Sequence, residues 1–324
     1  MLYLVLFILV LSIPAAAGGF WVRGNTHTHT TESDGDASPK AVAEWYKSHG
    51  YQFLVITDHG KLTDPDKLGL NTDDKFLLIP GEEIGTEFEW LPVHVCALGI
   101  KQGLSAVNAS SMVATIQANV DVVNNAGGLV HINHPNWHYS FDHRQLRQIK
   151  GCRLMEIYNA SGGCNDEGDM AHIQTEQIWD VLLSEGQSWY GIASDDAHRY
   201  NQPQSETDSP GRGWIVVRVN KLTQDEVLAG IRKGDFYAST GVELAELSFD
   251  GKTLRIGVKP TEGIKHRIRF VGQYGRILEE VDAESADYKL AADAGSYVRA
   301  KVMASNGAVA WTQPIRRAAG AVAK

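Results

Sequence analysis

Cysteine is scarce in this chain of 324 residues: only Cys96, Cys152 and Cys164 occur, and no two form a Cys-x-x-Cys pair. That spacing excludes thiolate zinc-finger chemistry, and the odd count leaves at least one thiol unpaired. Cys96 sits in an apolar run and reads as core, while a bridge between Cys152 and Cys164 stays open. Basic residues are also in deficit. The 30 Lys and Arg against 39 Asp and Glu give a formal net charge of -9, which argues against non-specific binding to nucleic acid. No Gly-x-Ser-x-Gly elbow is present, which removes one serine-nucleophile architecture. Long apolar runs are missing except for Leu2 to Ile13, which is too short to span a bilayer comfortably. Pro14 and Ala15-Ala16-Ala17 follow it, so residues 1–17 read as a secretory signal cut near Ala17, although no Lys or Arg stands beside Met1. This predicts an exported protein, periplasmic or extracellular, without a stable membrane span; the competing reading is an uncleaved anchor.

What the chain does contain is enough apolar sequence for a full core. Hydrophobic residues make up 43% and charged residues 21%, the balance of an ordinary globular protein with one large domain or a large and a small one. Short apolar runs alternate with helical patterns. Phe20 to Asn25 reads as a strand, and Ser38-Pro39 opens a helix as N-cap and first-turn proline. Phe53-Leu54-Val55-Ile56, Phe76 to Ile79, Val93 to Leu98, Leu129 to Ile132, Arg153 to Ile157 and Trp189 to Ala193 read as further strands. Helices are predicted from Ser110-Ser111 to about Asn124, after Asp142, over roughly 171–185, and behind the capping box at Thr223. Residues 200–213 are polar and rich in Pro, Gly and Ser, as expected of a loop. From Leu244 onward no long helical pattern remains, and Asp250-Gly251 and Asn306-Gly307 mark hairpins between apolar runs. The reading is an α/β barrel over 20–243 followed by a small all-β, sandwich-like module over 244–317; an open doubly wound sheet is the alternative for the first part.

The stretch that organises the first part is Asn25-Thr26-His27-Thr28-His29, running into Asp34-Gly35. Side chains alternate along a strand, so His27 and His29 face one side. Other strand ends carry matching groups: His59, Glu83, His134, Asp196 and His198, with His94 inside a strand. Any one of them has a plain reading as a core histidine, a turn residue or a cap. Together, nine imidazoles and carboxylates at one end of a set of strands would be costly to bury without a shared partner. Of adjacent Glu82 and Glu83 only one can face inward. Asp196 shares parity with His198, and His134 lies nearer the strand end than His131. Asp58, Asp195 and His131 are expected to hold ligand rings in place, and His49, His143, His172 and His266 read as surface or core residues.

These motifs resemble those of the PHP (polymerase and histidinol phosphatase) family. In order they are His27-Thr28-His29, Thr57-Asp58-His59, Gly81-Glu82-Glu83, His94, His134-Pro135 and Asp196-Ala197-His198, and the match covers roughly residues 20 to 240. The resemblance implies a distorted seven-stranded β/α barrel holding two or three divalent ions (Zn, Mn or Fe). It implies a first site of His27, His29, Glu83 and Asp196, a second in which Glu83 is joined by His94 and His134, and a third of Asp34, His59 and His198. Some members carry His where this chain has Asp34, and a carboxylate there favours harder ions such as Mn or Mg. Tyr297-Val298-Arg299-Ala300 and Ala310 to Ile315, with Ser194 to His198, further resemble an exported subgroup named for carbaryl hydrolysis.

The function expected from these residues is metal-assisted hydrolysis by water ionised between two cations. A phosphomonoester or phosphodiester is the first substrate class; a carbamate, amide or carboxylic ester is the alternative. An exported, non-catalytic metal-binding or binding module is the reading from another class. His59 or His198 could protonate the leaving group, and Arg199 and Arg212 flank the site in sequence and could clamp a phosphate. Trp90, Trp137, Tyr139 and Trp214 would suit an apolar acyl or aryl group, or serve as core.

Overall fold

The computed structural model describes residues 18–69, 74–201, 208–291 and 295–316. The expected signal at 1–17, the middle of the expected loop at 202–207 and residue 317 of the expected module lie outside the described residues. No helix among the described residues is long and apolar enough to cross a membrane.

The first part places strands β1 (Phe20–Asn25), β2 (Phe53–Ile56), β3 (Leu77–Phe88), β4 (Leu91–Leu98), β5 (Leu129–Ile132), β6 (Leu154–Asn159), β7 (Tyr190–Ser194), β8 (Trp214–Val219) and β9 (Phe236–Ser239). Between them lie helices α1 (Pro39–Ser48), α2 (Pro65–Leu68), α3 (Met112–Asn125), α4 (His143–Leu146), α5 (Thr175–Ser184) and α6 (Gln224–Lys233). Their starts obey local chemistry: Ser38, Ser111, Asp142 and Thr223 each accept a hydrogen bond from a first-turn amide. The helix expected over 171–185 begins only at Thr175, because the residues before it form a separate turn in which Asp169 accepts from the Ala171 and His172 amides.

Strands β1, β2 and β3 are parallel, as are β5, β6 and β7. The set is not parallel throughout, however. β3 runs through Pro80-Gly81 to Phe88 instead of stopping at Ile79, and pairs antiparallel with β4, which pairs antiparallel with β5. The physical reason is the connection: Glu89 and Trp90 alone join β3 to β4, with φ of 50° and 69°. A two-residue loop of that hand makes a hairpin and leaves no room for a crossover helix. Beyond their ends β1 and β7 also meet. The Asp196 amide donates to the His27 carbonyl at 2.9 Å, the His29 amide donates to the Ala197 carbonyl at 3.0 Å, and Thr28 and Ala197 are parallel partners.

The remaining strands are β10 (Leu244–Phe249), β11 (Thr253–Val258), β12 (His266–Val271), β13 (Ile277–Asp282), β14 (Ser285–Lys289), β15 (Tyr297–Ala304), β16 (Val309–Thr312) and β17 (Ile315–Arg316). The large sheet does not end with the first part: β16 pairs with β9, and the hydrogen-bonded order continues β16-β15-β12-β13. β10, β11 and β14 form a separate three-stranded sheet facing it. Leu254, Ile256 and Val258 on one side and Ile268, Phe270 and Val302 on the other fill the space between, with Phe270 stacked on Tyr288 at 5.0 Å. The molecule is therefore mixed α/β with one extended sheet running through both regions. A second link joins them. Buried Arg299 on β15 reaches Asp180 at 2.7 Å and Glu176 at 2.6 Å on α5, and Tyr297 donates to Asp180 at 2.7 Å.

Cys96, Cys152 and Cys164 are all buried and free. The bridge left open for Cys152 and Cys164 is not formed: Cys152 donates toward the Val130 and Leu154 carbonyls among the strands, while Cys164 lines the cavity at the site.

Candidate metal centre

The chain leaves β1 at Asn25, whose side-chain oxygen accepts from the His27 amide at 2.8 Å and whose nitrogen donates to the Gly213 carbonyl at 2.9 Å. This fixed exit sends both imidazoles inward. His27 Nε2 lies 3.1 Å from Glu83 Oε2 and 3.2 Å from Asp196 Oδ1; His29 Nε2 lies 3.2 Å and 3.1 Å from the same two atoms. Both nitrogens are buried and lack a hydrogen-bond partner. Glu83 comes from the middle of β3, not from a strand end, and Asp196 from just past β7. In that turn Asp196 has φ 47°, a sparsely populated backbone region for a non-glycine residue.

Two further groups share these atoms. His59, after β2, holds Nδ1 3.1 Å from Glu83 Oε2, and His94, inside β4, holds Nδ1 3.0 Å from Glu83 Oε1. His134 Nε2, after β5, stands 3.5 Å from the same Oε1. On the open side, Asp34 lies 3.4 Å from His198 Nε2, and 3.6 Å from both His59 Nε2 and His29 Nδ1. Three sets of donor atoms are thus mutually within 4.8 Å: His27, His29, Glu83 and Asp196; His59, Glu83 and His94; and His29, Asp34, His59 and His198. All nine residues singled out as ligands from the sequence stand in one cluster. The sharing differs from the implied division: His59 groups with Glu83 and His94, and His29 with the Asp34 set.

Carboxylates and imidazoles set one another's charge in this cluster. Burial alone would depress His27 and His29, but Asp196 and Glu83 outweigh it, and the His29 imidazole is pushed up to about 9. Burial likewise opposes ionisation of Glu83 and Asp196, yet the surrounding histidines hold both well below the usual carboxylate range. Among the described residues no Lys or Arg contacts either carboxylate. A buried nest of imidazole nitrogens and carboxylate oxygens, all within 4.8 Å of one another, fits a divalent ion.

Asp58, Asp195 and His131, expected to hold ligand rings, instead bond the turns and backbone around the donors. Asp58 accepts from the Thr30 amide at 2.7 Å, from Thr63 at 2.6 Å and from Ser33 at 3.0 Å, and so shapes the turn that presents Asp34. Asp195 accepts from the Gly211, Arg212 and Gly213 amides and from Tyr46. His131 turns away toward the Thr26 carbonyl at 3.4 Å, and burial pushes it down to about 4. Glu82 points to the opposite face from Glu83 and accepts from the Leu104 amide at 3.0 Å.

Sequence reasoning missed Glu156. This buried carboxylate on β6 accepts from His27 Nδ1 at 2.7 Å, Ser194 Oγ at 2.6 Å, the His134 amide at 2.7 Å and Asn159 Nδ2 at 2.9 Å. Burial opposes its charge, but His27 foremost, with His131 and His134, holds it down at about 2. Its signal was present: one carboxylate inside the apolar run Leu154-Met155-Glu156-Ile157 must find partners if the strand is buried on both faces. Asn133, which donates to Glu83 Oε1 at 2.7 Å, was passed over in the same way.

The cluster opens into a cavity of about 380 Å³ whose outer wall includes Trp137, Ser161, Cys164, Arg199 and Asp208. Arg199 is exposed at this wall. Arg212 does not line the cavity. Tyr139 stacks on His172 at 3.8 Å, and Trp214 packs edge-on against Tyr51, so neither reaches the site. His49 stacks on Trp45 and His266 is buried beside Glu284, both far from the donors in their contacts.

No protein-family model matches the chain, and no curated protein matches it. Solved structures do. The chain is similar to a two-domain protein of Bacteroides vulgatus ATCC 8482 containing a predicted PHP-like metal-dependent phosphoesterase: 15% identity over 92% of this chain and 96% of that one, with a TM-score of 0.51. It is also similar to a candidate metal-dependent phosphoesterase from Bifidobacterium adolescentis ATCC 15703 (14% identity, 56% and 90% covered, TM-score 0.43). A third is an amidohydrolase from Chromobacterium violaceum with bound sulfate and no metal (13%, 55% and 88%, 0.41). The first likeness shows a shared fold across both regions of the chain.

Proposed function

We propose that this chain is a PHP-type, divalent-metal-dependent hydrolase, and that its substrate is a phosphomonoester or phosphodiester. The observation that carries the proposal is the meeting of His27, His29, Glu83 and Asp196, with two buried imidazole nitrogens left without hydrogen-bond partners among the donors. The B. vulgatus likeness supports a barrel of β1 to β7, closed by the contact between Thr28 and Ala197. Residues 20–243 are proposed as the hydrolase region, 244–317 as an added β-module, and 1–17 as an export leader. Membership of the carbaryl-hydrolase-like subgroup is part of the same proposal.

His27, His29, Glu83 and Asp196 would hold one ion; Glu83 with His94, His134 and His59 a second; Asp34, His59 and His198, with His29, a third. Bound divalent ions would supply Lewis-acid polarisation of the substrate and ionisation of water near neutral pH. The chain's own residues do the rest. Arg199 offers a planar pair of N–H donors to the phosphoryl oxygens at the cavity wall. When the Asp34 set carries no ion, His59 or His198 presents an imidazole to the cavity and delivers a proton to the leaving oxygen. Trp137, packed edge-on against His94 and His134 at 5.1 Å and 5.0 Å, excludes water from that side.

The edge of Trp137 also favours a second reading, hydrolysis of a carbamate, amide or carboxylic ester with an apolar group. Elemental analysis of the purified chain, with assays on p-nitrophenyl phosphate, bis-p-nitrophenyl phosphate and p-nitrophenyl acetate under added Mn²⁺ or Zn²⁺, tests both. Two or more ions per chain and phosphoester hydrolysis lost in His29→Ala support the first reading. Activity on the acetate alone rejects it in favour of the second. Metal content without any hydrolysis points to a non-catalytic binding protein.

A further inference from the structure

The hairpin that carries Glu83 and His94 ends in an unusual turn. Glu89 and Trp90 both lie in the left-handed region, with φ of 50° and 69°. Such turns favour Asn and Gly because a Cβ resists positive φ. Here a tryptophan occupies one of the two positions and is 87% exposed. Below it lies a second cavity of about 670 Å³, lined by Trp90, Pro92, Gly85 and His138 and also by His59, His94 and Trp137. Those last three line the metal-site cavity as well. The two spaces therefore adjoin, with His59, His94 and Trp137 lining both. Gly85 lets the His94 ring lie close against β3, since a Cβ there would be 3.2 Å from His94 Nε2.

The two spaces differ in charge. Arg199 lines the first together with the donor carboxylates and Asp208, whereas among the described residues no Lys or Arg lines the second and Glu87 does. With divalent ions bound, the first would suit an anionic reacting group beside Arg199, and the second suits a neutral part of the same molecule. Its two indoles, one exposed at the rim and one at the junction, offer π faces and edges to another ring. We propose that the Trp90–Trp137 groove is a substrate subsite for a planar aromatic ring, carried on the oxygen that leaves from the metal centre. The proposal rests on the hydrolase reading above. It adds an orientation: the reacting group sits toward Arg199 and the ring lies under the β3–β4 hairpin. A simple aryl group and a nucleobase share this chemistry.

The test is calorimetric titration of the Mn²⁺-loaded full chain with phenylphosphonate and with methylphosphonate, in wild type, W90A and W137A. Wild type should bind the phenyl compound about tenfold more tightly, the scale of one favourable ring contact. W90A, whose side chain is exposed, should fold normally by circular dichroism and narrow that ratio to about twofold, and W137A should narrow it too. Equal affinities in wild type, or an undiminished ratio in W90A, overturn the subsite. Hydrolysis of phenyl phosphate, adenosine 5′-monophosphate and ethyl phosphate is followed in parallel. A lower KM for the phenyl ester alone identifies an aryl group, and a lower KM for the nucleotide identifies a base. A ring preference in binding with no phosphoester turnover keeps the subsite and rejects the phosphoesterase reading. Turnover with equal KM for all three keeps the phosphoesterase and rejects the subsite. If neither phosphonate binds, the phosphoesterase reading falls; the ring preference is then read from phenyl acetate against ethyl acetate, where equal KM values overturn it.

Discussion

Glu156 accepts a 2.7 Å hydrogen bond from His27 Nδ1, and this contact decides which nitrogen of His27 faces the cluster. With Nδ1 engaged as donor, Nε2 is the atom turned between Glu83 and Asp196, where it would ligate a bound ion. The same carboxylate receives the His134 amide and Ser194, so one residue sets the ring of His27 and the approach of a second donor strand.

Replacing Glu156 should therefore act on metal binding while the donor set itself stays intact. Glu156→Gln turns one acceptor oxygen into a donor facing the His134 amide or Asn159, and should weaken affinity by about 10–100-fold. Competition with a metal-chelating dye measures this. Near-wild-type affinity in a folded variant would show that the contact with His27 is only structural.

Glu83 is the buried carboxylate that turns its two oxygens to different histidines: Oε2 toward His27, His29 and His59, and Oε1 toward His94 and His134. Glu83→Gln should cost at least one bound ion per chain and lower kcat by about 10²–10³-fold, equivalent to several kcal/mol of lost charge stabilisation. Elemental analysis and steady-state kinetics check both. Full occupancy in the variant would argue against Glu83 as a shared ligand.

Most of this site was legible because its donors recur at short spacings at or just past apolar runs. Alternation suggested pairing His27 with His29 and Asp196 with His198, although all four lie beyond the ends of β1 and β7, and it allowed only one of Glu82 and Glu83 inward, the resemblance selecting Glu83. The mixed α/β character was legible from alternating apolar runs and helix caps. The antiparallel β3–β4–β5 segment was not, because Pro80-Gly81 reads as a stop and Glu89-Trp90 lacks the usual hairpin residues. Glu156 and Asn133 were hidden for another reason. Each is a single polar residue in or beside an apolar strand, and its importance lies in partners far off in sequence. The continuation of the sheet from β9 into β16 is a long-range pairing that no local pattern announces.

Asp34 differs from the other carboxylates in exposure, with a 55% exposed side chain against nearly full burial of Glu83. Its substitution should remove the outermost set alone. Asp34→Ala is expected to lose no more than one ion per chain, with the remaining ions held at wild-type affinity, and Asp34→His to restore the lost one. Metal titration of the two variants side by side gives the answer; loss of every ion in Asp34→Ala would mean that the three sets cannot fill separately.

Acid stability should depend on the link between α5 and β15. Burial alone would raise the Glu176 carboxyl, but Arg299 at 2.6 Å and the Lys301 ammonium outweigh it and hold the group down at about 2, against an ordinary 4.5. A carboxyl depressed in the folded state stabilises fully above its unfolded value and loses that contribution as pH falls through the folded one. The window is therefore about pH 4.5 down to about 2, and the contribution is on the order of 3 kcal/mol. Glu176→Gln removes the titrating group and leaves Arg299 paired with Asp180. Urea unfolding in excess chelator, which removes any pH dependence of metal binding, should show the variant less stable than wild type at pH 6. The gap should shrink steadily below pH 4.5 and close near pH 2. A gap of constant size across that range would mean that Glu176 acts through packing, and that the charge on β15 does not hold the two regions together.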